Sequence, residues 1–157
     1  MKHVAVVGAG KIGSTITRIL AATSDYQVTV IDRTPADLAG IEPHKAVTTV
    51  ALDIADGAGL TKVLRGKFAV LSAAPFHLTV SIAKAAAAAG VHYLDLTEDV
   101  ESTRQVKEIA ATASTAFIPQ CGLAPGFISI VAHDLARHFD SLEAVRMRVG
   151  ALPQYPS

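Results

Sequence analysis

The stretch Val4-Ala5-Val6-Val7-Gly8-Ala9-Gly10-Lys11-Ile12-Gly13 decides the fold. Its apolar residues predict a strand and its glycines a tight turn. From Lys11 to about Ala22, Ile12, Ile16, Ile19 and Leu20 recur at helical spacing, which predicts a helix laying an apolar stripe on a sheet. The turn therefore reads Gly-x-Gly-x-x-Gly between a strand and a helix. Asp32 follows the third glycine by 19 residues, at the end of the next apolar run, Gln27 to Ile31. That combination predicts a dinucleotide site. Gly8 permits the turn out of the strand, Gly10 lets a pyrophosphate approach the backbone, and Gly13 lets the helix pack closely. The helix N-terminus then presents unpaired N–H groups and the positive end of its dipole to the phosphates.

Composition narrows the remainder. With 157 residues, half of them apolar, one domain with a proper core is expected. Fourteen basic and fourteen acidic residues leave no net charge, and no segment gathers Lys and Arg, which argues against nucleic acid and anionic membranes as partners. The uncharged run from Ala110 to His133 is long enough to span a bilayer, but Pro119, Gln120, Gly122, Pro125 and Gly126 interrupt it, so it reads as a strand, a turn and a helix. The amino terminus lacks the pattern of a signal peptide, and Cys121, the lone cysteine, forms no internal disulfide. A cytoplasmic location is the expectation.

Further along, Thr34-Pro35-Ala36-Asp37 offers a capping hydroxyl, a proline at the first helical position and an early acid, with Gly40 closing that helix. Val47 to Leu52 reads as a covered strand, apolar on both faces; a helix from about Ala58 to Leu64 leads into a strand at Phe68 to Ser72. An alanine-rich helix from about His77 to Ala89 ends at Gly90, and Val91 to Leu96 is the next strand. Asp99 can cap a helix to about Ala113, before a strand at Ala116 to Ile118. Pro125-Gly126 opens a last helix with Ile128, Val131, Leu135 and Phe139 on one face, and Leu142 to Val149 alternates like a seventh strand. Strands alternating with helices at this spacing predict an α/β doubly wound parallel sheet, the Rossmann architecture, with ligands beyond the carboxyl ends of its strands.

Candidate site residues follow from that placement. Asp32 can accept both ribose hydroxyls of NAD, whereas a 2′-phosphate would meet a like charge, so NAD is favoured over NADP; Arg33 is the counterargument, since its guanidinium suits a phosphate. Asp53 and Ile54 fall where an adenine ring would lie, Asp53 to accept from the exocyclic amine and Ile54 to cover the ring face; the alternative is an ordinary acidic helix cap. Ser72, Ala73, Ala74 and Pro75 are small residues at a strand end, suited to a nicotinamide ribose. His77 is a candidate acid or base, or a helix cap. Cys121 is a candidate nucleophile, though a small buried hydrophobe is the commoner fate of a lone cysteine. His133 and His138 are wrongly spaced to share a helical face, so no metal site is expected.

Three passages extend the reading: Ala73-Ala74-Pro75-Phe76-His77, Ala89-Gly90-Val91-His92-Tyr93-Leu94-Asp95-Leu96-Thr97, and Cys121-Gly122-Leu123-Ala124-Pro125-Gly126-Phe127. With the glycine turn, they resemble the amino-terminal part of the saccharopine dehydrogenase family, which includes saccharopine reductases and lysine 6-dehydrogenases. Gly150-Ala151-Leu152-Pro153-Gln154 resembles the entry to that family's second domain. The resemblance implies an oxidoreductase that transfers hydride between a carbon–nitrogen bond of an amino acid and NAD or NADP. It places Gly8, Gly10, Lys11, Ile12, Gly13, Asp32 and Arg33 on the cofactor, Asp53 and Ile54 at adenine, and Ala73 to Pro75 at the nicotinamide ribose. Asp95, Thr97, Cys121 and Gly122 fall on the substrate side. It further implies a division into residues 1–141, the dinucleotide-binding domain, and 142–157, leading toward a substrate and dimerisation domain. The expectation is a cofactor-binding half, inactive or nearly so alone, that self-associates through apolar surface. A free-standing NAD(H)-sensing regulatory domain without catalysis is the alternative.

Overall fold

β1 (Lys2–Val7) lies inside the sheet, hydrogen-bonded on both edges, and buries Val4 to Val7. Parallel partners flank it, β2 (Tyr26–Asp32) on one side and β4 (Ala69–Ser72) on the other. Outside these lie β3 (Val47–Ala51) beyond β2, and β5 (His92–Asp95) then β6 (Phe117–Ile118) beyond β4, giving the order β3-β2-β1-β4-β5-β6. Strand order thus reverses between β1 and β4, the topological switch point where such sheets bind ligands. The computed structural model describes residues 1–150. Ala151–Ser157, including the Leu152-Pro153-Gln154 passage, lie outside the described residues.

Alternation along β1 sends successive side chains into two different cores. Val4 and Val6 join Val28, Val30, Leu38 and Ile41 beneath α1 (Lys11–Ala22) and α2 (Pro35–Ala39). Ala5 and Val7 join Ile31, Leu60, Val70, Ile82, Tyr93 and Val106 beneath α3 (Gly57–Leu64), α4 (Thr79–Ala89) and α5 (Val100–Ala110). Helices therefore cover both faces. In α4, Ala83, Ala85 and Ala86 are buried, and Gly90 closes the helix at φ +69°, donating its N–H to Ala86 and Ala87. The Asp99 carboxylate caps α5 by accepting from the Ser102 N–H at 2.7 Å.

Several local expectations differ from the structure. In α1 the buried line is Gly13, Thr17 and Ala21, with Ile16 and Leu20 packed alongside; Ile12 and Ile19 are more than half exposed. Small residues win the inner line because they let the helix lie against the sheet. β3 is an edge strand with Thr48, Thr49 and Ala51 exposed, not a strand covered on both faces. His77 belongs to a short 3-10 turn, Phe76–Leu78, and α4 starts at Thr79. Thr34 precedes α2 without a side-chain cap. Leu142 to Val149 do not form a strand, and they pair with no strand among the described residues. α6 (Phe127–Ala136) has the expected apolar face but buries no residue; Ile128, Val131, Leu135 and Phe139 face Leu142 and Val145 across an open groove.

Candidate functional site

The glycine turn is built around contacts that a side chain would destroy. Gly8 sits at φ +104° with its N–H donating to the Ile31 carbonyl at 2.8 Å, and a Cβ there would stand 2.8 Å from the Ala73 carbonyl oxygen. A Cβ on Gly13 would run into the Gly8 carbonyl oxygen. Gly10 differs: a Cβ there meets nothing within 4 Å, because this position opens onto a cavity. Gly10 also precedes α1 without any side-chain cap. The first N–H groups of the helix, on Lys11, Ile12 and Gly13, lack intrahelical partners, so the open space at Gly10 suits an anion.

That cavity has a volume of about 610 Å³ and runs over the C-terminal ends of β1, β2 and β4. Asp32 lines it, half-buried. Its Oδ2 accepts from the Ala9 N–H at 2.8 Å and its Oδ1 from the Thr34 N–H at 2.9 Å. The carboxylate thus pins the glycine turn to the end of β2, while each oxygen keeps a second lone pair. Arg33 is exposed on the same wall, with Thr34 and Asp37 beside it. Asp53 is exposed and spends one oxygen on the Ala55 N–H at 2.9 Å. Ile54 is only 8% exposed; its side chain belongs to the core, and it reaches the cavity with its edge.

A second cavity of about 210 Å³ lies on the other side of Ala73 and Ala74, which line both. Sheet register aligns Val7, Ser72 and Asp95 in one row, of which Ser72 and Asp95 line this cavity. Asp95 is 1% exposed and fully engaged: Oδ2 accepts from the Tyr93 hydroxyl at 2.9 Å, and Oδ1 from the N–H groups of Thr97 at 3.0 Å and Gln120 at 3.1 Å. Burial first, and the Asp95 charge second, hold the Tyr93 phenol protonated far above its ordinary range. Thr97 lines the cavity, as does Ile12 from the start of α1. Phe76, Leu96 and Thr97 continue into a wider hollow of about 500 Å³ bounded by Glu98, Asp99 and Leu123.

The remaining expected residues separate. His77 is exposed and lines the larger cavity beside Pro75, on the Asp32 side of Ala73–Ala74. Cys121 lines neither cavity. Its N–H donates to the Asp95 carbonyl at 2.8 Å and its thiol to the Ile118 carbonyl at 3.2 Å. Burial first, then the Asp95 charge, push that thiol's pKa up, which opposes a nucleophilic thiolate. Gly122 is packed against Leu96, where a Cβ would stand 3.2 Å from the Leu96 carbonyl oxygen. Among the described residues no group of three or more His, Cys, Asp or Glu is placed to hold a metal ion, and no helix is long and apolar enough to cross a membrane. Sequence reasoning missed Thr34 and Asp37 on the larger cavity and Thr79 on the smaller one, which Ser72 also lines. Adjacency to Asp32 and Arg33 could have raised Thr34; nothing local marks Thr79.

Comparison with known proteins agrees with this arrangement. Residues 4–118 match the family model described as the saccharopine dehydrogenase NADP binding domain. The chain is 25% identical over 131 residues to the saccharopine dehydrogenase [NADP(+), L-glutamate-forming] of Saccharomyces cerevisiae, an alignment that takes in 83% of this chain and 29% of that protein. The solved structure of the L-Glu-forming saccharopine dehydrogenase from Saccharomyces cerevisiae superposes with a TM-score of 0.70 at 23% identity, over 87% of this chain and 31% of that one. A Rossmann-fold NAD(P)-binding protein from Shigella flexneri gives 0.59 at 19% identity, over 76% and 66%. At these identities the two structures establish the fold, a Rossmann-type α/β domain. The chain spans less than a third of the yeast relative's length. With the family model matching most of its residues, from the first strand to β6, the chain belongs to the saccharopine dehydrogenase NADP binding domain family.

Proposed function

We propose that the chain binds a nicotinamide dinucleotide, NAD in preference to NADP, as the cofactor half of an oxidoreductase acting on a carbon–nitrogen bond of an amino acid such as lysine or saccharopine. The observation that carries the reading is the pair of cavities joined at Ala73–Ala74, with the uncapped start of α1 and the bare Gly10 between them. In this reading the pyrophosphate lies over Gly8, Gly10, Lys11, Ile12 and Gly13. Asp32 takes the adenosine ribose, Asp53 and the edge of Ile54 face adenine, and Ala73, Ala74 and Pro75 flank the nicotinamide ribose. Asp95 and Thr97 border the nicotinamide end, and the Cys121–Gly122 turn backs it. When bound, the nicotinamide supplies a hydride acceptor. The part of this chain is to hold the dinucleotide extended and to shield its reactive end from water. Neither His77, on the adenosine side, nor the Cys121 thiol, with its raised pKa, suits a direct chemical role.

The preference for NAD rests on Asp32. Two backbone amides fix its carboxylate at the cavity wall, so it cannot swing aside, and a 2′-phosphate would sit against a fixed negative charge. Arg33 opposes this only if its exposed guanidinium closes over the same phosphate. Titration calorimetry with NAD, NADP and ADP-ribose tests the reading. Tighter binding of NAD than of NADP is expected; the reverse order would overturn the preference, and no binding of any of the three would overturn the cofactor assignment. The chain alone should show little or no lysine- or saccharopine-dependent cofactor reduction; robust turnover would overturn its reading as a cofactor half.

A further inference from the structure

We propose that Lys67 is an acyl-acceptor site, its ε-amine poised beside the Thr29 and Thr48 hydroxyls to take the acyl group of a thioester. The site lies just ahead of β4, at the amino ends of the strands and away from the dinucleotide cleft, and it does not depend on the cofactor reading.

Lys67 is half-buried, whereas the other lysines, Lys2, Lys11, Lys45, Lys62, Lys84 and Lys107, are exposed. The backbone fixes its base: Gly66 turns at φ +75°, and the Lys67 N–H donates to the Leu64 carbonyl at 3.0 Å. The side chain then reaches β2, where Nζ donates to the Thr29 hydroxyl at 2.8 Å, and the Thr48 hydroxyl of β3 stands 3.2 Å from the same oxygen. An ammonium carries three donors, yet among the described residues Nζ has this one partner and no carboxylate oxygen within 4.0 Å. The titratable groups nearby do not compensate. Lys2 lies over the Phe68 ring at 4.0 Å, His92 packs against that ring at 4.9 Å, and Arg65 stands in the same turn as Lys67. Asp25 and Tyr26 at the start of β2 and Lys45 ahead of β3 make no ion pair or hydrogen bond with the amine.

Taking an ammonium partly out of water without a counter-ion favours its neutral form, and burial lowers the Lys67 amine's pKa from the ordinary lysine value. A neutral amine is a nucleophile and an ammonium is not. Its nitrogen lone pair attacks the thioester carbonyl, a C–N bond forms, the C–S bond breaks, and the proton released by nitrogen leaves with the thiol; nothing is oxidised or reduced. The exposed Thr48 hydroxyl can donate to the carbonyl oxygen as charge develops there. The product amide keeps an N–H for the Thr29 hydroxyl and carries no charge, so it suits a half-buried position without a counter-ion better than the ammonium does.

Acetyl-CoA is the probe, and peptide mass spectrometry reads the initial acetylation rate at each lysine of the intact chain. Near neutral pH Lys67 should react several-fold faster than any of the exposed lysines. As the pH rises into the ordinary lysine range that lead should close, because the exposed amines then lose their protons too. Thr29→Asp supplies the missing carboxylate, favours the ammonium, and should drop Lys67 to the rate of the exposed lysines or below; Thr29→Ser, which keeps the hydroxyl, should hold the lead. The exposed lysines are controls within the same chain, so the first comparison stands even where a variant fails to fold. Lys67 reacting no faster than the exposed lysines near neutral pH would overturn the assignment. A lead that persists in folded Thr29→Asp would overturn it as well, since the missing counter-ion would then not be its cause.

Discussion

Asp32→Asn separates the two duties of this side chain. Asparagine keeps one acceptor oxygen and replaces the other with an NH2 donor. In the parent both oxygens face backbone donors, Ala9 N–H at 2.8 Å and Thr34 N–H at 2.9 Å, so one of these amides must then face another donor. Losing such a bond at a half-buried site costs about 1–3 kcal/mol, which for a chain of this size is a fall in Tm of about 3–8 °C. The effect on cofactor is different in kind. A unit charge held about 6 Å from a 2′-phosphate charge repels it by about 3 kcal/mol at an effective dielectric of about 20, and the open cleft with its salt screening roughly halves that. Removing the charge should therefore tighten NADP about tenfold, while NAD loses about tenfold through a weaker ribose acceptor. The NAD to NADP preference should move by about a hundredfold, read by calorimetry at a fixed salt concentration. An unchanged ratio would remove Asp32 from the ribose, and an unchanged Tm would show that the two amides do not depend on it.

Other consequences follow from the same geometry. Gly8→Ala forces a Cβ into a left-handed backbone and against the Ala73 carbonyl, and should cost about 2–3 kcal/mol in chemical denaturation, whereas Gly10→Ala, with open space around it, should leave stability within about 0.5 kcal/mol yet weaken ADP-ribose more than tenfold. Equal stability of the two variants would contradict the geometry. Since a negative charge disfavours the thiolate, Cys121 alkylation should gain speed only at a pH above that of a free cysteine, and Asp95→Asn should move that rise to lower pH; a profile unmoved by the substitution would exclude the Asp95 charge as a cause. Leu135, 58% exposed on the apolar face of α6, is the probe for self-association: Leu135→Lys should weaken it about tenfold in sedimentation, and an identical mass distribution would place the contact elsewhere.

Much of the fold is legible in the sequence because its signals are local. The glycine turn, the left-handed cap at Gly90 and the Asp99 cap of α5 depend only on neighbours within a few residues, and the structure has each where the pattern places it. Misreadings arise where a distant element decides. Periodicity in α1 offers a stripe of isoleucines, but Gly13, Thr17 and Ala21 take the inner line because Gly13 must lie against Gly8 across the turn. β3 carries β-branched residues suited to an interior strand, yet sheet order leaves it at the edge. Leu142–Val149 has strand alternation without a strand to pair with among the described residues. Ile54 reads as an adenine contact from its position after β3, but only the packing of α3 and α4 shows that most of the side chain is core.

The acids at the strand ends show the same limit most sharply, and they support one more prediction. Asp32, Asp53 and Asp95 each accept from the N–H two residues onward, at Thr34, Ala55 and Thr97, so in sequence they are the same local turn. What distinguishes them is the partner of the remaining acceptor capacity. Asp32 adds Ala9 from the glycine turn, and Asp95 adds Tyr93 and Gln120 from two other elements. Asp53 adds no one among the described residues, is exposed, and lines the larger cavity. It is therefore the acid whose free oxygen can accept from an adenine amine at least cost to the fold. Asp53→Ala should weaken ADP-ribose about fivefold, within the scale of a solvent-exposed hydrogen bond to a charged group, while lowering stability by less than about 1 kcal/mol. Inosine-containing dinucleotide, which has a carbonyl in place of that amine, should bind parent and variant alike. If Asp53→Ala weakens the adenine and inosine ligands equally, the residue acts through the turn it closes, and the adenine contact must come from elsewhere on the cavity wall.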